Sequence, residues 1–394
     1  MIENRIKNIA RESGAALVGI ASRQRLYDAP PSGNPDYLLP STQSIISFAT
    51  TLDKKTARDF ISKKDWLSHG EEKKRLIRSL YGISDSLVNF LKGEGFDAMG
   101  VDVNSNFRPE PGASDVTEMT EFVPQFAHRY GAVAAGIGRL GWSGNLLSPD
   151  YGSLVELCTV LTSAKLESDP LLEDNPCDKC KLCTAVCPVE MMSKKHTVRV
   201  RVAGIGEEIA EKRPNTCCWI GCSGYHGLAP NKKWSNWSPY RLKDPLPQNK
   251  TELDALNISL QKTDPQMHLE GNSLTDHRKA MFNPDWFANT VCGNCRLVCW
   301  ENREDREENR RLIVDSGVVA LNPDGEHVAT KDEVIELDTP YMVRVAMLKT
   351  EYEGALTSGE PANIEKAKSP MDIGVLSHIL DCTETVLIQK EPGK

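Results

Sequence analysis

The residues best suited to chemistry in this chain are cysteines, and their spacing points to iron. Twelve cysteines occur in 394 residues. One run has the spacing C-x2-C-x2-C-x3-C-P and comprises Cys177, Cys180, Cys183, Cys187 and Pro188. Bacterial ferredoxin sequences hold 4Fe-4S clusters through thiolates with this spacing. The run therefore predicts that electrons pass through this protein.

A second cysteine group predicts a second cluster. More than a hundred residues later, the spacing C-x2-C-x3-C is formed by Cys292, Cys295 and Cys299. In two-cluster ferredoxins the fourth cysteine of such a run ligates the other cluster. We therefore expect one cluster to be held by Cys177, Cys180, Cys183 and Cys299. The second cluster would use Cys187, Cys292 and Cys295 and needs a fourth thiolate. The sequence leaves three candidates for this ligand, Cys217, Cys218 and Cys222, and we take Cys218.

Two simpler interpretations of the cysteines fit less well. Zinc sites favour pairs of C-x2-C in ribbons and fingers. Disulfide frameworks belong to small secreted domains. Neither explains three cysteines separated by two residues each. Cys158 and Cys382 fall outside both groups, and we expect them to be ordinary buried thiols.

Length and charge set limits on the class of protein. The chain is long enough for two or three domains with a proper core. Many cysteines with no export signal and no apolar run of membrane length predict a cytoplasmic protein without a membrane partner. The net charge of -8 argues against a broad nucleic-acid surface, so we expect nucleic acid to be an unlikely partner. A local basic patch comprises Lys194, Lys195, His196, Arg199 and Arg201. It could face an acidic electron donor or cofactor phosphates, or be a solvated strand.

Hydrophobic periodicity predicts the elements that must position the cysteines. Helices are expected over 2–10 and 71–91, and strands over 15–20, 44–50 and 96–103. This alternation, which continues to about residue 165, predicts an α/β domain. We place that domain at 1–168, a ferredoxin-like domain at 169–311 with a loop or cap insertion at 223–290, and an extension at 312–394. A charged exposed helix is expected at 301–311, and weaker strand and helix signals lie at 334–337 and 342–348.

A glycine-rich segment at 134–145 is the other dense feature of the chain. Gly136, Gly138 and Gly141 have the G-x-G-x-x-G spacing of dinucleotide-binding loops. The context does not support a nicotinamide site, because no clear strand precedes the segment and no acidic residue lies at the usual distance. The small residues instead suggest that backbone approaches a large ligand closely.

Several segments together resemble the corrinoid iron-sulfur reductases, a superfamily that includes reductive dehalogenases and epoxyqueuosine reductase. They are Leu39-Pro40 before the 44–50 strand, the A-A-G-I-G-R-L-G segment, the S-P-D-Y-G-S loop at 148–153, the first cysteine run, and V-C-G-N-C-R-L-V-C-W-E-N-R at 291–303. The resemblance runs from about residue 6 to 311. It implies an α/β domain with a nitroreductase-like core that binds cobalamin, joined to a ferredoxin-like domain with two 4Fe-4S clusters. It also implies that the corrinoid is contacted by Gly136, Gly138, Gly141, Trp142, Ser143, Gly144 and Asn145.

The chain departs from this family at positions that matter for catalysis. Trp142 lies where a catalytic lysine or arginine is expected, Phe122 lies near the family's proton-donating tyrosine or aspartate, and Trp300 replaces a proline. A proton donor beside a cation is what reductive bond cleavage needs. Candidates for these roles are Tyr130, Arg129, His128 and Arg139. We expect Tyr130 to donate the proton and Arg129 to tune it; the alternative is that all four only pack or form salt bridges in the domain.

Three functions remain open from the sequence. The first is a cobalamin-dependent reductase that cleaves a carbon-halogen or carbon-oxygen bond of a small organic substrate, with electrons from an external ferredoxin or flavodoxin. The second is an electron-transfer protein that reactivates the corrinoid of a methyltransferase partner, with Trp234 and Trp237 as partner surface. The third is epoxyqueuosine reduction, a tRNA modification.

Overall fold

The protein is described by a computed structural model. It describes residues 2–103, 107–109, 122–222, 224–239, 241–242, 244–263, 292–321 and 327–331. The elements expected at 334–337 and 342–348, and Cys382, lie outside the described residues.

The described helices are α1 (Ile2–Glu12), α2 (Lys54–Ile61), α3 (Leu67–Gly93), α4 (His128–Ala134), α5 (Leu182–Ala185), α6 (Asn215–Cys222), α7 (Lys250–Thr263), α8 (Asn294–Leu297) and α9 (Arg303–Val314). Three of the described helices, α1, α3 and α9, begin and end close to where the sequence places them, and the other six were not predicted. Gly14 follows α1 with φ +104°, a conformation that ends a helix at little cost for glycine. Asp53 and Asn302 cap α2 and α9 by accepting from the backbone N–H of Thr56 and Asp305, both at 2.8 Å.

The described strands form one four-stranded sheet and several hairpins. They are β1 (Leu17–Ser22), β2 (Ser44–Thr51), β3 (Ala98–Val101), β4 (Phe107–Pro109), β5 (Phe122–Pro124), β6 (Arg139–Leu140), β7 (Leu146–Leu147), β8 (Val155–Thr162), β9 (Met192–Val202), β10 (Ile205–Lys212), β11 (Val318–Leu321) and β12 (His327–Thr330). The sheet has the order β1-β2-β8-β3 with antiparallel neighbours throughout. The expected mixture of helices and sheet is confirmed.

Both faces of the sheet are covered, which is why β2 carries buried apolar side chains on both of its faces. Ile46 and Phe48 point into a core shared with α1 and α3. Ile45 and Ala49 alternate with them and point into a second core shared with α4 and the β9–β10 hairpin. All four are completely buried, and burial of each large side chain stabilises the fold by roughly 1.5–3 kcal/mol.

A third core supports the cysteines. It contains apolar side chains of α2, together with Leu52, Leu76 of α3 and Trp142. Further apolar residues of this core lie between positions 177 and 319. Residues assigned to the first predicted domain therefore contribute to the packing around the cysteines. The domain boundary at 168 stays a prediction.

Two expectations about the 223–290 insertion need correction. The segment is not all irregular, because α7 occupies 250–263. Trp234 and Trp237 are not available as partner surface, since they are only 3% and 4% exposed. The Trp237 indole donates to the carbonyl oxygen of Phe60 at 2.9 Å and stacks near Trp66. The side chains of Trp234 and Trp237 both pack in the third core. The sequence could not predict this burial, because isolated tryptophans form no periodic pattern.

None of the described helices is long and apolar enough to cross a membrane.

Candidate metal centre

Four cysteines from two distant segments surround one small cavity, here called the first thiol group. They are Cys177, Cys180, Cys183 and Cys299. The rest of the wall is mostly apolar and includes Trp142 and Leu147, together with the cationic Arg306. The sequence placed these four cysteines on one cluster, and the structure brings them together.

Local hydrogen bonds shape the loop that carries Cys177 and Cys180. The Cys177 backbone N–H donates to Asn175 Oδ1 at 2.8 Å, and the Cys180 N–H donates to Asp178 Oδ1 at 3.1 Å. Lys179 and Lys181 adopt φ values of +56° and +61°, so the chain turns tightly before α5. This turn directs successive thiols toward the same cavity.

Five cysteines form a second thiol group: two lie on α6, one at the end of the first run, one on α8 and one just before α8. They are Cys187, Cys218, Cys222, Cys292 and Cys295. Cys218 interacts electrostatically with Cys187, Cys292 and Cys295, and its Sγ lies 3.7 Å from Cys222 Sγ. Cys217 points elsewhere, because its thiol contacts the carbonyl oxygen of Val189 at 3.3 Å. The open choice of an eighth ligand therefore narrows to Cys218 or Cys222.

The glycine-rich segment runs between the two thiol groups. The Trp142 backbone N–H donates to Cys177 Sγ at 3.2 Å, and Asn145 Nδ2 lies 3.8 Å from Cys295 Sγ. Such bonds to sulfur influence the potential of an iron-sulfur cluster. The segment thus touches one sulfur in each group.

The glycines of this segment are also required by close packing inside the chain. A Cβ on Gly136 would strike the Pro170 carbonyl oxygen, and one on Gly138 would strike that of Leu147. No helix follows Gly141, since β6 and β7 form a short hairpin here. Internal packing therefore accounts for two of the glycines assigned to a ligand. A corrinoid contact at Gly136, Gly138, Gly141, Trp142, Ser143, Gly144 and Asn145 stays a prediction.

The loop at 148–153 holds the segment that ends in Cys299. Ser153 Oγ donates to the carbonyl oxygens of Arg296 and Cys299, at 2.7 and 3.0 Å. The Ser153 backbone N–H donates to the same Cys299 oxygen at 2.8 Å. Gly152 has φ +54°, and a Cβ there would lie 2.7 Å from Trp300 Cα. Glycine is needed at this position because the two backbones touch.

Replacing Gly152 by alanine is expected to push the Cys299 segment away. We expect a loss of about 1–3 kcal/mol in the free energy of unfolding, from backbone strain at positive φ and overpacking. The cluster that uses Cys299 should be depleted, measured as iron per chain after anaerobic purification. Gly82→Ala is the matched control, because Gly82 is exposed on α3 with open space around its Cα. A Gly152→Ala protein with parental stability and iron would contradict this role.

Trp300, which lies where the sequence resemblance predicts a proline, anchors the second cysteine motif. Its side chain is completely buried. The Arg58 guanidinium lies 4.5 Å and the Lys54 ammonium 5.1 Å from its ring centroid, so two cations of α2 cover its faces. Arg58 and Lys54 also form ion pairs with Asp305 and Glu301. Trp300 therefore ties the last cysteine to α2.

Burial has the largest effect on the pKa of four of the thiols, whereas a hydrogen bond with Cys222 lowers the pKa of Cys218 and Cys292. Burial raises the pKa of Cys183 to about 12 and that of Cys295 to about 11, and it raises the pKa of Cys187 and Cys299 strongly. These four thiols therefore hold their protons at neutral pH unless a metal replaces them. Metal binding here must release protons.

Two lysines near the second thiol group were missed by sequence reasoning. The ammonium of Lys63 is buried without a hydrogen-bond partner, lies 5.6 Å from the Trp237 ring, and interacts with Cys292. Lys212 interacts with Cys295 and Cys218. Desolvation by the surrounding protein lowers the pKa of each lysine to about 8. Neither lysine belongs to a motif of regular spacing, so the sequence could not predict that the two lie near the thiols.

The predicted catalytic pair lies at the start of α4. Arg129 is exposed and donates to the Gly144 carbonyl oxygen at 3.0 Å, and its charge interacts with Lys212 and Cys218. Tyr130 is half-buried against Gly33, and burial raises its pKa while Arg129 opposes the shift. Arg129 therefore lies beside the second thiol group, and Tyr130 remains protonated at neutral pH. Their catalytic roles stay a prediction.

The donor sets suit iron-sulfur clusters better than a single ion. Within the part of the chain that the structure describes, no three histidine, cysteine or acidic side chains converge on one metal position. The ligands of an iron-sulfur cluster do not converge on one position, because they surround a group of several atoms and therefore line a cavity. Four thiols with apolar walls and N–H···S bonds meet that requirement. The residues fit a corrinoid less well, because the chain's own backbone occupies the space beside Gly136 and Gly138.

Comparison with known proteins places this site among reductases. No family model matches the chain. Among curated proteins, it is 25% identical over 224 residues to an epoxyqueuosine reductase of Bacillus cereus, covering 55% of each chain. It is 31% identical over 123 residues to the epoxyqueuosine reductase of Gloeobacter violaceus, covering 28% of this chain and 37% of that one. The chain spans about half the length of the curated relatives that it matches. The expected resemblance to corrinoid iron-sulfur reductases is confirmed, and within it the curated relatives are epoxyqueuosine reductases.

Solved structures of both branches of the superfamily are similar to the chain only at low scores. A catabolic reductive dehalogenase has TM-score 0.44 at 14% identity, covering 85% of this chain and 41% of that one. An epoxyqueuosine reductase with a tRNA-Tyr stem loop carrying epoxyqueuosine has TM-score 0.38 at 16% identity, covering 97% and 98%. Scores this low do not establish a shared fold.

One expectation from the sequence is wrong. Nucleic acid was expected to be an unlikely partner, but the curated relatives are epoxyqueuosine reductases and one such enzyme was solved with a tRNA stem loop. A net charge of -8 averages over the whole surface and cannot exclude a local contact. The exposed β9 strand illustrates this, since it presents Lys194, Lys195, Arg199 and Arg201 to solvent.

Proposed function

We propose that the protein is an iron-sulfur reductase of the epoxyqueuosine reductase type, acting on an epoxide carried by a tRNA nucleoside. The observation that carries the proposal is the pair of thiol groups, each able to supply four cysteines from distant segments of the chain. The curated relatives favour this function over carbon-halogen cleavage, the first expectation from the sequence. The reaction removes the epoxide oxygen as water and consumes two electrons and two protons.

The cysteines would hold two 4Fe-4S clusters in the crossed arrangement. Cys177, Cys180, Cys183 and Cys299 would hold the first, and Cys187, Cys218, Cys292 and Cys295 the second. Each cluster supplies one electron at a time. The resemblance adds a corrinoid, whose cobalt, when bound, would pass electrons to the substrate.

The chain's own residues would position and protonate the substrate. Arg129 and Lys212 place two positive charges beside the second thiol group, where they would attract an anionic ligand such as a nucleotide phosphate. Tyr130 stays protonated because burial raises its pKa, so it would supply a proton when the carbon-oxygen bond breaks.

Tyr130→Phe is expected to reduce the reductase rate by about 10²–10⁴-fold, the usual contribution of a general acid. Iron content should remain unchanged, because Tyr130 packs against the second core beside Gly33 and belongs to neither thiol group. Tyr81→Phe is the matched control: burial also raises the pKa of Tyr81, but this residue packs in the sheet core on α3. Parental activity of the Tyr130→Phe protein would remove Tyr130 from the reaction.

The direct test of the function is a turnover assay. The anaerobically purified protein, supplied with cobalamin and a chemical reductant, is incubated with a tRNA stem loop containing epoxyqueuosine. Nucleoside mass spectrometry should show loss of one oxygen from that nucleoside. An unchanged substrate, with both clusters reducible, would reject the proposal and favour the electron-transfer function instead.

A further inference from the structure

The second thiol group holds one thiol more than a cluster can use. Cys187, Cys218, Cys222, Cys292 and Cys295 come together, and a 4Fe-4S cluster takes four thiolates. One of the five must therefore have a different role. Cys218 and Cys222 are the pair to decide between, because both project from α6 toward Cys292.

Position within the group distinguishes these two thiols. Cys218 interacts with all three of the other expected ligands of the second cluster, Cys187, Cys292 and Cys295. Cys222 lies one helical turn further along and is hydrogen bonded to Cys218 and Cys292. Its Sγ is 3.7 Å from Cys218 Sγ, within range of a sulfur hydrogen bond.

We propose that Cys218 ligates the second cluster and that Cys222 remains a thiol, donating its S–H to a ligand sulfur and so raising the cluster's reduction potential. Once Cys218 and Cys292 are metal-bound thiolates they can only accept, and Cys222 carries the proton. A hydrogen bond to a ligand sulfur stabilises the more negative, reduced cluster. Cys222 is thus a positioning and tuning residue that touches the ligands and not the iron. This inference rests on the proposed second cluster.

The test compares three variants of the full chain by anaerobic redox titration, followed by electron paramagnetic resonance. Cys222→Ala should keep the parental iron content, while the midpoint potential of one cluster shifts to a more negative value. Cys222→Ser keeps an O–H donor and should restore most of that shift. Cys217→Ala, on the same helix but directed at Val189, should change neither iron nor potential.

Cys218→Ala decides the ligand and should lose about half of the iron. Loss of half of the iron in Cys222→Ala, or retention of all of it in Cys218→Ala, would overturn the assignment. An unshifted potential in Cys222→Ala would overturn the tuning role. These failures are separable from failure of the proposed function, because that failure would appear in the parent protein as an unchanged epoxyqueuosine substrate while both of its clusters remain reducible.

Discussion

Replacing Cys299 by alanine is expected to remove the same cluster as replacing Cys177, although the two residues are more than a hundred positions apart. Both thiols line one cavity with Cys180 and Cys183. A cluster with three remaining thiolates in a largely apolar cavity has lost a strong bond and gained no replacement. Iron should fall from about eight to about four atoms per chain in either variant.

Spectra identify which cluster is lost. Electron paramagnetic resonance of the reduced Cys299→Ala and Cys177→Ala proteins should show one common remaining signal. Cys187→Ala and Cys292→Ala should share the other signal, because these cysteines belong to the second thiol group. Cys158→Ala is the control, since Cys158 is buried in the sheet core and contacts the Val101 carbonyl oxygen. If Cys299→Ala instead shares its signal with Cys292→Ala, the clusters are not crossed.

Arg306→Met is expected to destabilise the protein by about 3 kcal/mol and to deplete the first cluster selectively. Arg306 is 3% exposed and lies in the wall of the first cavity. Its guanidinium donates to the carbonyl oxygens of Trp300, Glu301 and Pro176, and it pairs with Asp178. It therefore ties the segment before Cys177 to the segment after Cys299. Methionine leaves these buried acceptors unpaired, at a cost of about 1–3 kcal/mol each, partly offset because no charge remains to be buried.

Arg303→Met is the matched control for this variant. Arg303 lies on the same helix, α9, and also pairs with Asp178, but its side chain is about half exposed. Solvent screens such a pair, so stability and iron content should stay at the parental values. Anaerobic urea unfolding and iron analysis measure both quantities. Equal effects of the two substitutions would show that Arg306 acts only through Asp178.

The sequence predicted the cysteine arrangement and the main elements because these features depend on local spacing. Thiolate runs, the 71–91 periodicity and the apolar 44–50 strand each have a signal within a few residues. The prediction that Cys299 joins Cys177, Cys180 and Cys183 came from the same spacing logic, and these four cysteines line one cavity. Features of this kind can be predicted without knowledge of tertiary contacts.

Features that depend on contacts between distant segments were not accessible in this way. The burial of Trp237 against Phe60 and the anchoring of Trp300 by Arg58 join segments far apart in the chain. Lys63 and Lys212 become cations of the site only because the fold brings them to the thiols. The glycines at 136 and 138 were assigned to a ligand, although internal backbone packing already requires them. Sequence spacing shows that a small residue is present, but not which backbone approaches it.

Metal analysis of the anaerobically purified protein tests the central claim most directly. The account predicts about eight iron and eight sulfide per chain, together with one cobalt when cobalamin is supplied. Zinc in place of iron, or iron near four with a single reducible signal, would contradict the two-cluster site.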